Sequence, residues 1–283
     1  MNNLYLITGA TGNVGSEIVA QLLNSGAPLR VLTRDPSKVA HWKDRVDVVA
    51  GDYGNLDAFK DAAKGVAGVF LMNQSADVEP FQQLLATVKA QGNPRIVFLS
   101  TILAADPTLP IGRMHKDKED AIRASGLGGT FLRPGGFMSN TYQWIGSIKS
   151  EGVVQNPMAT GKFPPIAPED IASVAVKALN DPSLAGEVLE MTGGELITVP
   201  EEVDILSEVL GKAIRCVDIT IETAVQNLIR AGIPAPIAAG VGRSFEMVRE
   251  GQGIAIRDTV KKVTGKAPMT FREWAVNHAA RFA

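Results

Sequence analysis

Short apolar runs alternate with amphipathic helical stretches up to about residue 135. The runs are rich in Val, Ile, Leu and Phe, as is typical of parallel strands that are covered on both faces. Between the first two runs, apolar residues recur at helical spacing from Val14 to Leu23, and the stripe stops before Gly26. The alternation predicts an α/β protein with a doubly wound parallel sheet. Its six expected strands are LYLIT from residue 4, LRVLT from 29, VDVVAG from 46, VAGVFLM from 66, RIVFLS from 95 and GTFLRP from 129.

The rhythm changes after residue 135, where strands and helices stop alternating regularly. A Pro- and Gly-rich passage over 152–165 predicts a lid, and a helix is expected to follow it over 169–179. We therefore predict that residues 151–283 form a smaller, mainly helical lobe that lies over the carboxyl edge of the sheet and partly completes it. The other expected elements are strands from 186 and 213, a helix over 221–231, and two helix starts with capping-box spacing, Thr198 with Glu201 and Thr270 with Glu273.

A glycine-rich turn joins the first expected strand directly to the first helix. Its three glycines permit a sharp turn, a close approach of the backbone to a pyrophosphate, and tight packing of the helix on the strand. The helix N-terminus adds free N–H groups and the positive end of its dipole. The strand–turn–helix context favours a dinucleotide site over a chance turn, so residues 1–150 are predicted to be an NAD(P)-binding Rossmann domain. The expected contacts are Gly9, Thr11, Gly12, Asn13, Val14 and Gly15.

The end of the second strand indicates which dinucleotide is bound. An NAD-binding protein usually has Asp or Glu there to hold the ribose hydroxyls. Here Thr33 is followed by Arg34, with Lys38 nearby, and Asp35 comes one position late, where it is expected to face away or to cap the loop. A guanidinium can grip a 2′-phosphate bidentately, so NADP(H) is favoured over NAD(H). The alternative is that Arg34 and Lys38 are ordinary surface charges.

Polar and small residues follow several other strands, at the edge where ligands of open α/β sheets collect. We expect part of this set to line the cofactor cleft, with Phe137 as a wall for a flat ring. Asp52 has an alternative role as a cap for the helix expected from Leu56. The candidates are Asp52 and Tyr53 after the third strand, Asn73, Gln74 and Ser75 after the fourth, Ser100 after the fifth, and Gly135 and Phe137 after the sixth.

The catalytic chemistry is less well defined by the sequence. Many short-chain reductases donate a proton from a Tyr four residues before a Lys, and none of the three tyrosines here has a lysine at that spacing. His115, in the helix after the fifth strand, and Ser100 are the candidate catalytic residues, since a histidine can relay protons near neutral pH. The alternative is a solvated helix face, because Lys116 and Asp120 are spaced as a surface ion pair.

Composition excludes several classes of protein. A net charge of −2 gives no electrostatic footprint for nucleic acid. Cys216 is the single cysteine, which rules out an internal disulfide and fits a reducing compartment. No apolar run reaches the ~18 residues of a membrane span, and no His/Cys/acid cluster has metal-ligand spacing. We expect a soluble cytoplasmic protein with a small-molecule partner, as a monomer or a homodimer.

Several segments in this order resemble the NmrA-like, atypical short-chain dehydrogenase family: ITGATGNVG, RDPSK, ASGLGGTFLRPGGFMSN, and TGKFPPIAPEDIASVAVKAL. The resemblance covers almost the whole chain, and within the family the chain resembles bacterial NAD(P)H-dependent quinone and azo or triphenylmethane dye reductases. It implies a Rossmann fold, NADP(H), and the reduction of a flat conjugated acceptor.

Two features of that family keep alternatives open. Some members bind NADP(H) as regulators, so a non-catalytic redox sensor that acts through a partner protein is the second hypothesis. In plant benzylic ether reductases a functional lysine lies in the helix after the fifth strand, at the position that His115 occupies here. The mechanism of that lysine therefore does not transfer directly to this chain.

Overall fold

A computed structural model describes residues 3–42, 44–72, 75 and 77–283. Seven strands form one parallel sheet, in the order β3-β2-β1-β4-β5-β6-β8. The predicted doubly wound α/β fold is confirmed. The strands of this sheet are β1 (Tyr5–Thr8), β2 (Leu29–Thr33), β3 (Asp47–Ala50), β4 (Gly68–Leu71), β5 (Arg95–Leu99), β6 (Gly129–Pro134) and β8 (Val188–Met191).

Helices cover both faces of the sheet, which is why its strands are apolar on both sides. Successive strand residues point to opposite faces: Ile7 of β1 lies in the core beneath α1 and α6, whereas Leu6 lies in the core beneath α2, α3 and α4. These helices are α1 (Asn13–Asn24), α2 (Leu56–Ala63), α3 (Val78–Ala90), α4 (Pro110–Ser125) and α6 (Pro168–Asn180).

The remaining elements build a second layer with its own apolar core around Trp274 and Phe271. Two short parallel strands, β7 (Val153–Asn156) and β9 (Arg215–Asp218), pair here, so part of the predicted lid is a strand. Both predicted capping boxes are confirmed, at the starts of α7 and α11. The helices of this part are α5 (Ile145–Glu151), α7 (Val199–Leu210), α8 (Ile221–Arg230), α9 (Ala235–Arg249), α10 (Thr259–Thr264) and α11 (Phe271–Phe282).

The predicted division near residue 150 stays a prediction. Strand β8 follows it in sequence and lies in the main sheet beside β6. Helix α6 also follows it and packs on α1. In the described ranges, no helix has both the length and the apolar character needed to cross a bilayer.

Candidate functional site

The turn between β1 and α1 has a geometry that glycine alone satisfies. Gly9 has a φ of 63°, in the left-handed region that side chains disfavour. The Gly12 N–H donates to the Gly9 carbonyl at 2.9 Å, and a Cβ added at Gly15 would lie 2.1 Å from the same oxygen. No side chain caps the first turn of α1, so its N–H groups point out of the turn without an intrahelical acceptor. This arrangement suits an anion.

Beyond β2, the chain presents two cations beside a capped loop. The Asp35 carboxylate accepts hydrogen bonds from the Ser37 hydroxyl at 2.6 Å and the Ser37 N–H at 3.0 Å, which hold the pKa of Asp35 below its usual range. Asp35 therefore caps the loop, as expected. Arg34 and Lys38 are exposed, and neither pairs with another residue of the described chain. Both side chains are available to an anionic ligand.

The residues predicted at the ends of β3 and β4 have structural partners. The Tyr53 hydroxyl lies 2.7 Å from Thr8 Oγ1 and also bonds the Met72 carbonyl, and burial raises its pKa to about 12. This phenol therefore ties the loop after β3 to the ends of β1 and β4. Asp52 accepts from the Gly54 N–H within its own turn.

Other predictions at this edge have mixed outcomes. Asn55, and not Asp52, caps α2, because its side chain accepts from the Ala58 N–H at 3.0 Å. Asn73 and Gln74 lie outside the described residues. Ser75 is described, and its carbonyl accepts a hydrogen bond from the Lys118 amine.

A cleft of about 930 Å³ lies between the carboxyl ends of β5 and β6 and the second layer. Gly135 and Phe137, two of the predicted cofactor contacts, line it, and so do residues of α9 and of the segment 252–257. Their contact with a cofactor stays a prediction. Several aromatic rings line the cleft, which suits a flat ligand. The aromatic residues are Phe137, Trp144, Phe163 and Phe245.

One hydrogen bond joins this cleft to the glycine turn. The Asn13 side-chain amide, at the first position of α1, donates to Ser139 Oγ at 3.1 Å. Ser139 is buried and lines the cleft. The α1 N-terminus therefore lies next to one residue of the aromatic cleft.

A buried ionic network lies under the predicted catalytic Ser100. Its hydroxyl donates to Glu119 Oε1 at 2.6 Å, and Arg133 grips both oxygens of the same carboxylate at 2.8 Å each. These bonds raise the pKa of Arg133. Arg133 also lies 3.9 Å from Glu190, a cleft residue that pairs with Arg257 at 3.2 Å. A series of hydrogen bonds and ion pairs therefore runs from Ser100 through Glu119 and Arg133 to Glu190 in the cleft.

His115, in the same helix as Glu119, lies against Phe98, with 6.0 Å between the ring centroids. Burial, and next the charge of Lys118, lower its pKa to about 4, so the imidazole is neutral at pH 7. Its Nδ1 is buried with no hydrogen bond to any described residue. Neither His115 nor Ser100 is among the residues that line the cleft. Their catalytic roles stay predictions.

Lys118 is a further buried group in α4. Its amine donates to the carbonyls of Ser75 and Met114, the latter at 3.2 Å, and burial lowers its pKa to about 8. Lys116 instead forms the expected surface ion pair with Asp120 at 2.6 Å. The helix after β5 therefore has one buried edge and one solvated face.

The sequence matches the model of the NmrA-like family over residues 1–275. The chain belongs to the NmrA-like family. It is 35% identical over 282 residues to (4-alkanoyl-5-oxo-2,5-dihydrofuran-3-yl)methyl phosphate reductase of Streptomyces griseus subsp. griseus, with 99% of both chains covered. It is 32% identical over 284 residues to NAD(P)H azoreductase of Xenophilus azovorans, again with 99% of both covered. The predicted resemblance is confirmed.

The NmrA-like fold is also that of a solved quinone oxidoreductase. The NADPH-dependent enzyme of Escherichia coli, in complex with NADPH, superimposes with a TM-score of 0.81 at 23% identity, and the match covers 97% of this chain and 99% of that one. At this identity the likeness establishes the architecture.

Sequence reasoning missed several residues of this NmrA-like site. Glu119 lies between charged neighbours in a helix that reads as solvated, and Ser139 gives no local signal of its contact to Asn13. The sequence held a weak signal for Glu119: the apolar residues Ala121 and Ile122 beside it indicate a helix face that points to the core, and the structure buries both.

Proposed function

We propose that this NmrA-like protein is an NADPH-dependent oxidoreductase that reduces a flat conjugated acceptor, such as a quinone, an azo dye or a triphenylmethane dye. The observation that carries the proposal is the aromatic cleft that begins beside the α1 N-terminus, joined to it by the bond from Asn13 to Ser139. The names of the azoreductase and the quinone oxidoreductase support the same class of reaction.

The residues fit a dinucleotide. Gly9 and Gly15 allow the turn to close, because an added Cβ would lie 2.8 Å from Met72 at the first and 2.1 Å from the Gly9 carbonyl oxygen at the second. The first turn of α1, which no side chain caps, would hold the pyrophosphate. The unpaired Arg34 and Lys38 would hold the 2′-phosphate. The nicotinamide end would reach the cleft, where its chemistry is to supply a hydride.

The protein itself contributes the positioning of the acceptor. The rings of the cleft would stack a planar acceptor, and the wall formed by α9 and 252–257 would exclude water. Products of this class, quinols and amines, take protons from solvent, so a tyrosine–lysine pair is not required. His115 and Ser100 stay as proposed side-chain contributors.

Arg34→Ala is expected to weaken NADPH binding about 10- to 100-fold and to leave NADH binding unchanged, since a charge-assisted hydrogen bond contributes about 1.5–3 kcal/mol. Fluorescence titration of both dinucleotides measures the two constants. Arg230→Ala, at an exposed arginine on α8, is the control for a general loss of positive charge. Equal losses for NADPH and NADH in Arg34→Ala would contradict the phosphate role.

The proposed reaction is tested by NADPH oxidation with purified protein over quinones, azo dyes and triphenylmethanes. Turnover with at least one acceptor is expected. Tight NADPH binding with no turnover for any acceptor would favour the alternative, a non-catalytic sensor. Such a sensor needs an exposed apolar patch for its partner, and the apolar segment 233–242 is the candidate in the sequence. That segment is largely within α9, where Val241 lines the cleft.

A further inference from the structure

A carboxyl group that no part of the proposed reaction uses lies in the wall of the cleft. Glu202 is in the first turn of α7, on the helix face that also buries Val199, Val203 and Leu206. Its side chain is 2% exposed, and it lines the cleft together with Trp144, Met158 and Phe163 among others. A glutamate is rarely buried in such surroundings unless it is paired.

Glu202 has no such pairing. Its carboxyl makes no hydrogen bond and no ion pair with the described part of the chain. The cap of α7 does not need it, because the neighbouring Glu201 accepts from the Thr198 N–H at 2.7 Å. Arg257, a cation in the same cleft, is already bonded to Glu190. The carboxyl therefore faces the cleft as an unused polar group.

The surroundings of the Glu202 carboxyl favour its neutral form. Burial comes first and the negative charge of Glu195 second, and together they raise the pKa of Glu202 well above 4.5. The positive end of the α7 dipole acts in the opposite direction. The other titratable groups of the elements around it are Arg215, Cys216 and Asp218 of β9, Glu201, Asp204 and Glu208 of α7, Arg272, Glu273, His278 and Arg281 of α11, and Asp106, Glu190 and Arg257 of the cleft.

We propose that Glu202 recognises the acceptor: as a neutral carboxylic acid it donates a hydrogen bond to an uncharged acceptor atom, a carbonyl oxygen of a flat conjugated substrate. The proposal rests on the function proposed above and narrows its substrate class towards quinone-like carbonyl compounds. A protonated carboxylic acid can donate a hydrogen bond to a carbonyl oxygen without changing its ionisation state. A cationic ligand would bind well only after the acid had lost its proton. Glu202 is thus a specificity-determining residue at the substrate.

Binding of two ring compounds of one skeleton tests this directly. 1,4-Naphthoquinone and naphthalene differ by two carbonyl oxygens, and calorimetric titration of each into the purified protein measures the dissociation constants. Glu202→Leu, which keeps the bulk and removes the donor, is expected to weaken naphthoquinone about tenfold and to leave naphthalene unchanged. Glu202→Gln retains an N–H donor, so its affinity for naphthoquinone is expected to stay within about threefold of wild type.

The pH dependence of the affinity for naphthoquinone is a measurement that a purely structural role of Glu202 would not change. As the pH rises through the pKa of Glu202, the wild-type protein loses the donor proton and its affinity for naphthoquinone falls. Glu202→Gln has no proton to lose there and should show a flat profile. Melting temperatures of both variants at or above the wild-type value would show that the substitutions leave the fold intact.

Two outcomes would overturn the inference. The first is unchanged naphthoquinone binding in Glu202→Leu. The second is affinity for a cationic dye, crystal violet, that rises with pH and disappears in Glu202→Gln, which would make the site a cation site. Failure of the proposed function is distinguishable, because it would appear as absent NADPH oxidation in the wild-type protein whatever the variants bind.

Discussion

Glu119→Ala is expected to lower the free energy of unfolding by about 3–5 kcal/mol, because removing one partner of a buried ion pair leaves the other charge uncompensated. The buried partner is Arg133, whose guanidinium would be left with two unsatisfied donors. Arg123, 3.3 Å from the same carboxylate, is 40% exposed and keeps its bond to Asp120, so its loss of Glu119 costs little. Ser100 would lose its acceptor as well. Urea denaturation of wild type and variant measures the difference.

The adjacent acid is a matched control. Asp120 pairs with Lys116 and Arg123 on the solvated face of α4, and its side chain is 52% exposed. Asp120→Ala is expected to cost at most about 1 kcal/mol, as for other surface ion pairs. Equal effects of the two substitutions would refute the buried network. Replacing both Glu119 and Arg133 by apolar residues should recover part of the loss, since no charge is then left without a partner.

Gly15→Ala is expected to weaken NADPH binding about 100-fold or more, the second large effect. The added Cβ would lie 2.1 Å from the Gly9 carbonyl oxygen, so the turn must open, and overpacking of this kind costs about 1–3 kcal/mol before any ligand contact is lost. The N–H groups of the α1 first turn would then move away from the pyrophosphate. Fluorescence titration with NADPH gives the affinity.

Substitutions at two other glycines distinguish a distorted turn from a blocked approach of NADPH. At Gly12 the added Cβ would lie 3.3 Å from the same oxygen, so Gly12→Ala should keep near-normal stability and still weaken NADPH, by blocking its approach. At Gly146 in α5 the Cβ meets nothing within 4 Å, so Gly146→Ala should bind NADPH normally. An affinity of Gly15→Ala equal to that of Gly146→Ala would exclude the proposed anion turn.

The positions of strands and helices could be predicted where the information is local. The apolar runs of the six expected strands became β1 to β6, and both capping boxes formed, because periodicity and three-residue spacing act within one element. Strand β7 was missed, because its residues lie in a Pro- and Gly-rich passage and acquire their partner, β9, from about sixty residues further on.

The residues of the candidate site could also be predicted only where the information is local. The glycine turn and the cations after β2 follow from contiguous residues, so their geometry is specified by the chain itself. Tyr53 stays a predicted cofactor contact, but the partners of its hydroxyl, Thr8 of β1 and Met72 directly after β4, lie far from it in sequence and could not be predicted. His115 stays a predicted proton source, but its burial, which lowers its pKa to about 4, depends on packing that the sequence does not reveal.

The sequence by itself determined the Rossmann architecture, the tight glycine turn before α1 and the membership of the NmrA-like family, since each depends on short-range spacing or on motifs in order. Only the tertiary structure decided which charges are buried. Glu119 and Asp120 are adjacent acids, yet one is held in the interior by Arg133 and the other is solvated. Likewise, Glu201 caps a helix while Glu202 faces the cleft. Burial and partner choice arise from the packing of distant elements, and no local pattern encodes them.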